Sequence, residues 1–254
     1  MGDPANLIVL AGQIILENGG DISRVEETMS RMAQACGAKE VEVFATPTGI
    51  FCTIDYEGKI LTRVVRIHRR RYDLAKVVEV NSLSRQLEEG QIEAEQVHFK
   101  LLALKESVRR YPAMLHAFAG GMGSATFAYL YGAHWGSVLA AGLTGLLVMG
   151  VIDFLQERQM YYFVSLAIAG AVTAIANVLL KMGWPHLEFD LAVTGSIMLL
   201  APGIAITTTV KDALNEDMMS ASVRGLEAFG VALSVAVGVG TVLALYFRLG
   251  GTLL

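Results

Sequence analysis

Residues 191–210 read LAVTGSIMLLAPGIAITTTV, and this stretch decides how the chain is interpreted. It is apolar and about 20 residues long, the length of an α-helix that crosses a bilayer. Pro202 and Gly203 interrupt it, since proline lacks a backbone donor and clashes with the preceding turn. The carbonyls freed near Met198 and Leu199 need partners, because lipid offers none. The stretch is therefore either a kink used for packing or a broken span of the kind that forms substrate sites in transporters.

Charge is distributed unevenly along the chain. Residues 1–111 hold 15 of the 20 Lys and Arg residues and 16 of the 24 Asp and Glu residues. The whole chain is only 17% charged, against about 25% in soluble domains, and its mean hydropathy is +0.50. The sequence therefore predicts a cytoplasmic soluble domain over residues 1–111 and a membrane domain over residues 112–254.

The hydrophobic period of residues 1–111 changes from helical spacing to alternation and back, which predicts an α+β domain. Gly19-Gly20 is expected to end the first helix, and Glu57-Gly58 has the form of a hairpin turn. Asp21 or Ser23 is expected to cap the second helix. The predicted elements are helices over 5–18, 23–37, 73–89 and 93–109 and strands over 41–45, 50–56 and 59–67.

Several features of this domain bear on compartment and partners. Cys36 and Cys52 are interpreted as buried thiols in a reducing compartment, and no metal site is expected. The N-terminal apolar run is about ten residues and lacks a basic segment, so no signal peptide is expected. Residues 66–71, RIHRRR, either contact anionic lipid or form a solvated strand end paired with glutamates. The domain is not basic overall, so no nucleic-acid partner is expected.

The remainder predicts an α-helical membrane protein with five transmembrane helices. These are placed at about 112–131, 135–152, 160–180, 191–210 and 226–247, with the fourth span broken at Pro202-Gly203. With a cytoplasmic N-terminal domain, the inner flanks carry five basic residues and the outer flanks two, which favours a C-terminus outside. The inner residues are Arg109, Arg110, Arg158, Lys211 and Arg224; the outer ones are Lys181 and Arg248.

Polar side chains at membrane depth supply the candidate functional residues. Those predicted to bind substrate lie at or near the break or in the third span: Pro202, Gly203, Ser196, Thr207, Thr208 and Asn177. Asp212 and then Glu227 are the candidates for proton coupling, since a carboxylate in a partly dry site is suited to carry a proton. The alternatives are a solvated Asp212 paired with Lys211 or Arg224, and a Glu227–Arg224 ion pair.

Four strings of the chain resemble the threonine/serine exporter family, in the same order. They are ENGGDISRVEETMSRMAQACG, VEVFATPTGIFCTI, RVVRIHRRRYDLAKVVEVNSLSRQLEEG and LLAPGIAITTTVKDALNEDMMSASVRGLEAFG. In the last string, Pro202, Gly203, Asp212 and Arg224 fall on the family's Pro-Gly, its acid and the arginine that opens the next span. The resemblance covers nearly the whole chain.

The resemblance implies a proton-driven secondary exporter of small hydrophilic metabolites in an inner (plasma) membrane, with threonine and serine as substrates and no cofactor. Split family members pair with a second, smaller membrane subunit, and some are linked to succinate export. A heteromer with a partner of four or five spans is therefore expected, while a higher oligomer stays open. A dicarboxylate exporter subunit and a membrane-anchored sensor are the alternatives. The chain lacks the hydrolase, P-loop and HExxH motifs, so it is not expected to be an enzyme.

Overall fold

The structure, a computed structural model, describes residues 4–67, 73–107 and 112–251. It divides into two compact units that are each described separately. The first unit contains residues 1–109 and 207–224, and the second contains residues 110–206 and 225–254. A short segment from the membrane part of the sequence thus belongs to the same unit as the N-terminal domain.

Two helices and a sheet form the centre of the first unit. Helix α1 (Pro4–Glu17) is almost wholly buried, which accounts for its apolar sequence without a membrane. Helix α2 (Ile22–Ala35) buries Val25, Met29 and Met32, whose spacing places them on one face of the helix. Asp21 is the N-cap of α2, and its carboxylate accepts a hydrogen bond from the amide of Arg24 at 2.9 Å.

The sheet has three antiparallel strands in the order β1 (Glu40–Thr46), β2 (Gly49–Tyr56) and β3 (Lys59–Arg66). The Glu57-Gly58 turn joins β2 to β3 with positive φ at both residues, as the sequence predicts. Alternate residues of β2 (Ile50, Cys52 and Ile54) are buried in the same core as α1 and α2. The thiol of Cys52 therefore lies in the core, whereas Cys36 is half-buried.

Two further helices complete the N-terminal part, α3 (Leu74–Glu88) and α4 (Ala94–Glu106). Their bounds lie within a few residues of the predicted ones. Residues 68–71 of the basic run lie outside the described residues, so neither interpretation of that run is tested.

The second unit is helical. Its helices include α5 (Ala113–Leu130), α6 (Trp135–Glu157), α7 (Tyr162–Gly183) and α8 (Phe189–Met198). Two more helices, α9 (Gly203–Leu214) and α10 (Met218–Arg248), each contribute residues to both units. The imidazole Nδ1 of His116 on α5 lies 2.9 Å from the carboxylate of Asp153 on α6.

The number of candidate spans is lower than the five predicted. Within the described residues, α6, α7 and α10 are long and apolar enough to cross a membrane, and the bent pair α8–α9 brings the number to four. Helix α5 forms where the first span is predicted, but it is not among these candidates. Its sequence contains His116, Ser124 and three glycines, which lower its mean hydropathy.

The helix that contains the last predicted span begins before that span. The sequence placed its start at about Leu226, whereas α10 begins at Met218 and runs for 31 residues. The extra two turns contain Ser220, Ser222 and Arg224. Because these residues are polar, apolar composition does not predict them as part of the span. Arg224 is buried among polar partners, and these allow the helix to extend past the apolar segment.

Close helix packing in the second unit depends on small residues. A Cβ added to Gly195 on α8 would lie 2.7 Å from the backbone nitrogen of Ala128 on α5. A Cβ on Gly238 of α10 would lie 2.0 Å from the carbonyl oxygen of Ala167 on α7. Only glycine allows backbones to approach this closely without displacement.

Candidate functional site

The break in the fourth span is a sharp bend between α8 and α9. The two helices meet at 59°, with Leu199 to Pro202 between them. The amide of Ala201 donates to the Met198 carbonyl at 3.3 Å, a long bond, and the amide of Gly203 donates to the Ala201 carbonyl at 2.8 Å. The freed carbonyls are thus partly satisfied by tight turns, and the Pro-Gly pair bends the span as predicted.

A groove of about 440 Å³ lies beside the break. It is lined by apolar residues of the break and of α10: Ile197, Leu200, Ala201, Pro202, Ala232, Val235, Ala236, Val239 and Gly240. Pro202 is the one predicted substrate-binding residue among them. The groove therefore offers an apolar surface and carries none of the predicted hydroxyl donors.

The polar groups gather around the other end of α9. The guanidinium Nε of Arg224 lies 3.0 Å from Oδ2 of Asp212, and each side chain is only 4% exposed. Nη1 of Arg224 donates to Oγ1 of Thr208 at 3.4 Å, one turn before Asp212 on the same helix. A buried charge is stable only when it is paired, so these three residues form a structural and electrostatic unit.

The turn between α1 and α2 also contacts this cluster. Nη2 of Arg224 donates to the backbone carbonyl of Gly20 at 3.3 Å. Gly20 permits a tight turn here, because an added Cβ would lie 2.2 Å from Cγ2 of Ile15. The next residue, Asp21, forms an ion pair with Lys211 on α9. The Gly20-Asp21 turn is thus held by two cations from the membrane part of the sequence.

The charges around Asp21 alter its ionisation. Burial opposes the charged form, but the hydrogen bond from Lys211, the amide of Arg24 and the hydroxyl of Ser23 outweigh it, so the pKa of Asp21 lies below its usual value. Nearby on α2, burial raises the pKa of Glu26, and the negative charge of Asp217 adds to this effect. The turn therefore favours the ionised form of Asp21, whereas burial disfavours the ionised form of Glu26.

The predicted substrate residues are divided between separate places. Thr208 contacts Arg224, and Thr207 lies beside it on α9. The hydroxyl of Ser196 donates to the Ala192 carbonyl at 2.8 Å, so this side chain is bonded within its own helix. The amide of Asn177 donates likewise to the Thr173 carbonyl at 2.9 Å.

Three polar atoms in the second unit are buried without a hydrogen-bond partner among the described residues. They are the hydroxyls of Ser124 on α5 and Thr144 on α6, and Oδ1 of Asn177 on α7. A buried donor or acceptor that makes no hydrogen bond is energetically unfavourable. Such atoms in a membrane domain therefore often face a ligand or water. Asn177 keeps one acceptor available for this purpose.

Asp212 and Glu227 are the two candidates for proton coupling. Asp212 is paired with Arg224, which confirms one of its predicted partners, but it is buried rather than solvated. The role of Glu227 and its pairing with Arg224 stay predictions. Across residues 4–67, 73–107 and 112–251, no three His, Cys, Asp or Glu side chains are grouped as metal ligands would be.

Sequence reasoning missed Gly20 as a partner of Arg224 and treated Asp21 only as a cap. About 200 positions separate these residues along the chain, and no local period links them. One signal was present: the strings ENGGDIS and LLAPGIAITTTVKDAL both carry the family resemblance. The structure brings these two strings together through the Asp21–Lys211 ion pair.

Comparison with known proteins identifies the family. The family model described as "Putative threonine/serine exporter" matches residues 6–246. The family is one of transporters, so the prediction that the chain is not an enzyme is confirmed. Together with the apolar helices, the match makes this a multi-pass membrane protein. No solved structure matches the chain.

Curated relatives cover most of the chain at low identity. The "Probable succinate transporter subunit YjjP" of Escherichia coli is 25% identical over 94% of this chain and 92% of its own length. The "Threonine/serine exporter" of Corynebacterium glutamicum is 22% identical over 92% of this chain. The "Probable threonine/serine exporter" of Mycobacterium tuberculosis is 27% identical over the same share. The chain spans 50% and 44% of these last two proteins.

The family resemblance drawn from the four strings is thus confirmed over nearly the full length. The segment with the bent span, the acid and the buried arginine lies wholly inside the matched residues. The chain belongs to the threonine/serine exporter family.

Proposed function

We propose that this chain is one subunit of a proton-coupled secondary exporter of small hydrophilic metabolites, with threonine and serine as its substrates. The observation that carries the proposal is the buried Asp212–Arg224 pair on the helices that follow the break. Buried ion pairs are expensive to maintain and mark ion or substrate pathways when they occur beside membrane spans. The family of the chain supports the same activity.

The proposed topology has five spans, with α5 as the first. Residues 1–111 would form a cytoplasmic domain, and the C-terminus would lie outside an inner (plasma) membrane. Support comes from the greater number of basic residues at the inner flanks. Helix α5 is 18 residues long, which is within the range that spans a bilayer.

In the proposed transport path, substrate passes the break at Pro202 and Gly203. The hydroxyls of Thr207 and Thr208 follow the break on α9, and Ser196 precedes it on α8. The unpaired Oδ1 of Asn177 supplies a buried acceptor. Broken spans provide such sites because the backbone is interrupted only where protein or water can satisfy it.

Proton coupling is assigned to Asp212, with Glu227 as the second carboxylate. Asp212 is 3% exposed and faces a buried cation, so any change in its protonation alters the charge of the whole cluster. A proton taken up there would weaken the attraction between α9 and α10. That change in attraction is the proposed link between the proton gradient and movement of the broken span.

The proposed partner is a second, smaller membrane subunit of four or five spans. The Escherichia coli relative is named a subunit, and the two exporter relatives are about twice as long as this chain. A five-span unit that follows an odd number of spans would have inverted topology, a common plan in secondary transporters. The bilayer surrounds this complex, and a higher oligomer is compatible with it.

Succinate is the second candidate substrate. The relative whose name includes succinate matches over nearly all of both chains, unlike the two longer exporters. Threonine, serine and succinate share a carboxylate and small polar groups. The chemistry of Thr208, Arg224 and Asn177 accommodates both classes.

The test is counterflow of labelled threonine, serine and succinate in vesicles that contain this chain and the membrane protein that co-purifies with it. We expect counterflow of at least one substrate, and net flux of the same substrate when a pH gradient is imposed. The P202A/G203L variant should assemble and lose flux, because it restores a continuous helix. Gly150→Ala, with no atom within 4 Å of an added Cβ, is the matched control and should retain flux.

Two results would contradict this proposal. Full flux from the lone chain would remove the need for a partner. Wild-type flux in P202A/G203L would place transport away from the break and leave a sensor acting through residues 1–111 as the better interpretation.

A further inference from the structure

Helix α10 carries small residues on two faces, and the first of these faces packs against α7. A Cβ added to Gly230 would lie 2.8 Å from the ring of Phe163, and a Cβ added to Gly238 would meet the carbonyl of Ala167. Phe163 and Ala167 lie one turn apart on α7, so this face lets the two helices approach closely. The second face of small residues is the α10 wall of the groove beside the break.

That second face is a row of three residues spaced four apart, Ala232, Ala236 and Gly240. This spacing places them on one side of the helix. All three are exposed, and all three line the groove of about 440 Å³. A Cβ added to Gly240 meets no atom of the described residues within 4 Å. Helix α10 therefore has a surface suited to close packing that the described part of this chain leaves open, and Pro202 lies in the same groove.

The neighbouring exposed row of α10 has a different composition. It consists of Phe229, Leu233 and Val237, and each of these side chains is more than half exposed. Contact with lipid chains places no demand for small residues on a helix, whereas close approach of two helix backbones does. The exposed row of small residues therefore favours contact with another helix over contact with lipid.

A second copy of this chain fits the groove poorly. Two copies in one membrane share the same orientation, so a two-fold contact would set Ala236 against Ala236 and would turn the two grooves toward each other. The resulting void is unfavourable, because buried interfaces pack as densely as protein interiors. A concave surface is filled instead by a helix with a ridge of protruding side chains spaced three or four residues apart.

The relatives of the chain indicate where such a helix comes from. The Escherichia coli relative, which matches over 92% of its own length, is named a subunit. The chain spans 50% and 44% of the two longer exporters, so each of them contains about as much protein again. For this chain, the second subunit of the proposed exporter is the source of that additional protein.

We propose that a transmembrane helix of the second subunit packs in the groove along Ala232, Ala236 and Gly240, with a ridge of large aliphatic or aromatic side chains. This inference rests on the proposed function and identifies the surface at which the two subunits meet. Because Pro202 lies in the same groove, the partner helix covers the open side of the break. The bent span then moves against the partner, which explains why transport requires both chains.

The first test measures assembly. The tagged full-length chain is purified in mild detergent, and the membrane protein that accompanies it in a fixed ratio is identified by mass spectrometry. Ala236→Leu fills the groove and should lower the amount of that protein at least about tenfold. Ala119→Leu makes the same substitution at an exposed alanine of α5 outside the groove, and it should assemble like the wild type. Because Ala236 is exposed, both variants should unfold at the wild-type temperature when the chain is purified alone.

The second test identifies the occupant by disulfide mapping. Ala236→Cys is combined with single cysteines placed in turn along the apolar segments of the accompanying protein. We expect disulfides at positions three or four residues apart in one segment, which is the period of a helix. Val237→Cys, one residue further along α10 on the neighbouring row, is the matched control and should form few of them. The natural thiols Cys36 and Cys52 are present in both variants, so they do not affect the comparison.

Several results would overturn the inference. Assembly of Ala236→Leu at the level of Ala119→Leu would do so, and so would a failure of Ala236→Cys to form disulfides with one segment, which would leave the groove to lipid. Disulfides between two copies of Ala236→Cys would assign the groove to a second copy of this chain.

Counterflow in the same preparations keeps this inference distinct from the proposed function. Wild-type flux in Ala236→Leu contradicts the docking surface and leaves the exporter intact. Helix-periodic disulfides at Ala236→Cys without any flux from the wild-type complex contradict the exporter and leave the docking surface intact.

Discussion

The two ends of helix α9 differ in the polarity of the residues around them. At its start, Pro202 lines a groove whose neighbours are all apolar. Toward its end, Thr208 and Asp212 share a buried arginine with a backbone carbonyl from the N-terminal domain. The bend in the backbone and the buried ion pair therefore lie at opposite ends of one helix. A substitution at one end should affect packing, and a substitution at the other should affect electrostatics.

The largest expected effect is loss of the cation at the polar end. Arg224→Gln leaves Asp212 buried without its partner, which costs about 3–5 kcal/mol of stability. The double variant Asp212→Asn/Arg224→Gln should recover part of this loss, because no unpaired charge remains. Thermal unfolding of the purified full-length chain in detergent, with Arg158→Gln as the control, measures both.

A drop in unfolding temperature no larger than that of the control would contradict the structural importance of the pair. A double variant that is less stable than Arg224→Gln would show that Asp212 is stabilised by other groups.

An intermediate effect is expected from packing around the apolar half of the broken span. Gly195→Ala on α8 places a Cβ 2.7 Å from the backbone of Ala128, which forces the helices apart and costs about 1–3 kcal/mol. Gly240→Ala, in the wall of the groove, meets no atom within 4 Å and should be neutral or slightly stabilising. The same unfolding measurement compares them. Equal losses would mean that α5 and α8 do not pack as closely as described.

A smaller effect is expected from Lys211→Gln. The Lys211 side chain is 50% exposed, so its pair with Asp21 contributes at most about 1 kcal/mol and should weaken in salt. Because the folded pKa of Asp21 is below its unfolded value, this contribution is present above about pH 4 and is lost as pH falls through the folded pKa. The difference between wild type and variant should therefore be larger at pH 7 than at pH 3. A difference that grows on acidification would contradict the assignment.

The smallest effect is expected from Glu26→Gln. Burial raises the pKa of Glu26, so the folded state favours the protonated form and is slightly penalised at neutral pH. The variant removes this penalty and keeps an acceptor for the Ala45 amide, which Glu26 binds at 3.0 Å. We expect its unfolding temperature to exceed that of the wild type by less than about 2 °C at pH 7, and the two to converge near pH 4. A lower unfolding temperature at pH 7 would contradict the sign of this effect.

The same contrast explains what could be predicted from the sequence. Pro202-Gly203 acts on its own helix, so the break was predictable from local residues. The strands β1 to β3 and the helices around them follow from short-range periods in the same way. The contact between Arg224 and Gly20 depends on the tertiary fold, and no local pattern contains it.

Hydropathy alone predicted the start of the last helix too late. The polar start of α10 was excluded because Ser220, Ser222 and Arg224 lower its apolar average, although partners in the fold allow it to remain helical. Helix α5 forms where the first span is predicted, with His116 and three glycines in its sequence, and its place as a span stays a prediction. Partners that satisfy a polar residue can be seen only in three dimensions.

The buried cysteine of β2 makes the chain convenient for chemical labelling. The Cys52 side chain is 1% exposed, and burial raises its pKa to about 11. At pH 7 only about one such thiol in ten thousand is ionised, and the thiolate is the form that reacts with maleimides. The Cys36 thiol is half-buried, and burial raises its pKa as well. Replacement of Cys36 alone would therefore leave a chain whose remaining thiol is nearly unreactive, and cysteines introduced into the exposed ends of α6, α7 and α10 could then report sidedness to membrane-impermeant reagents.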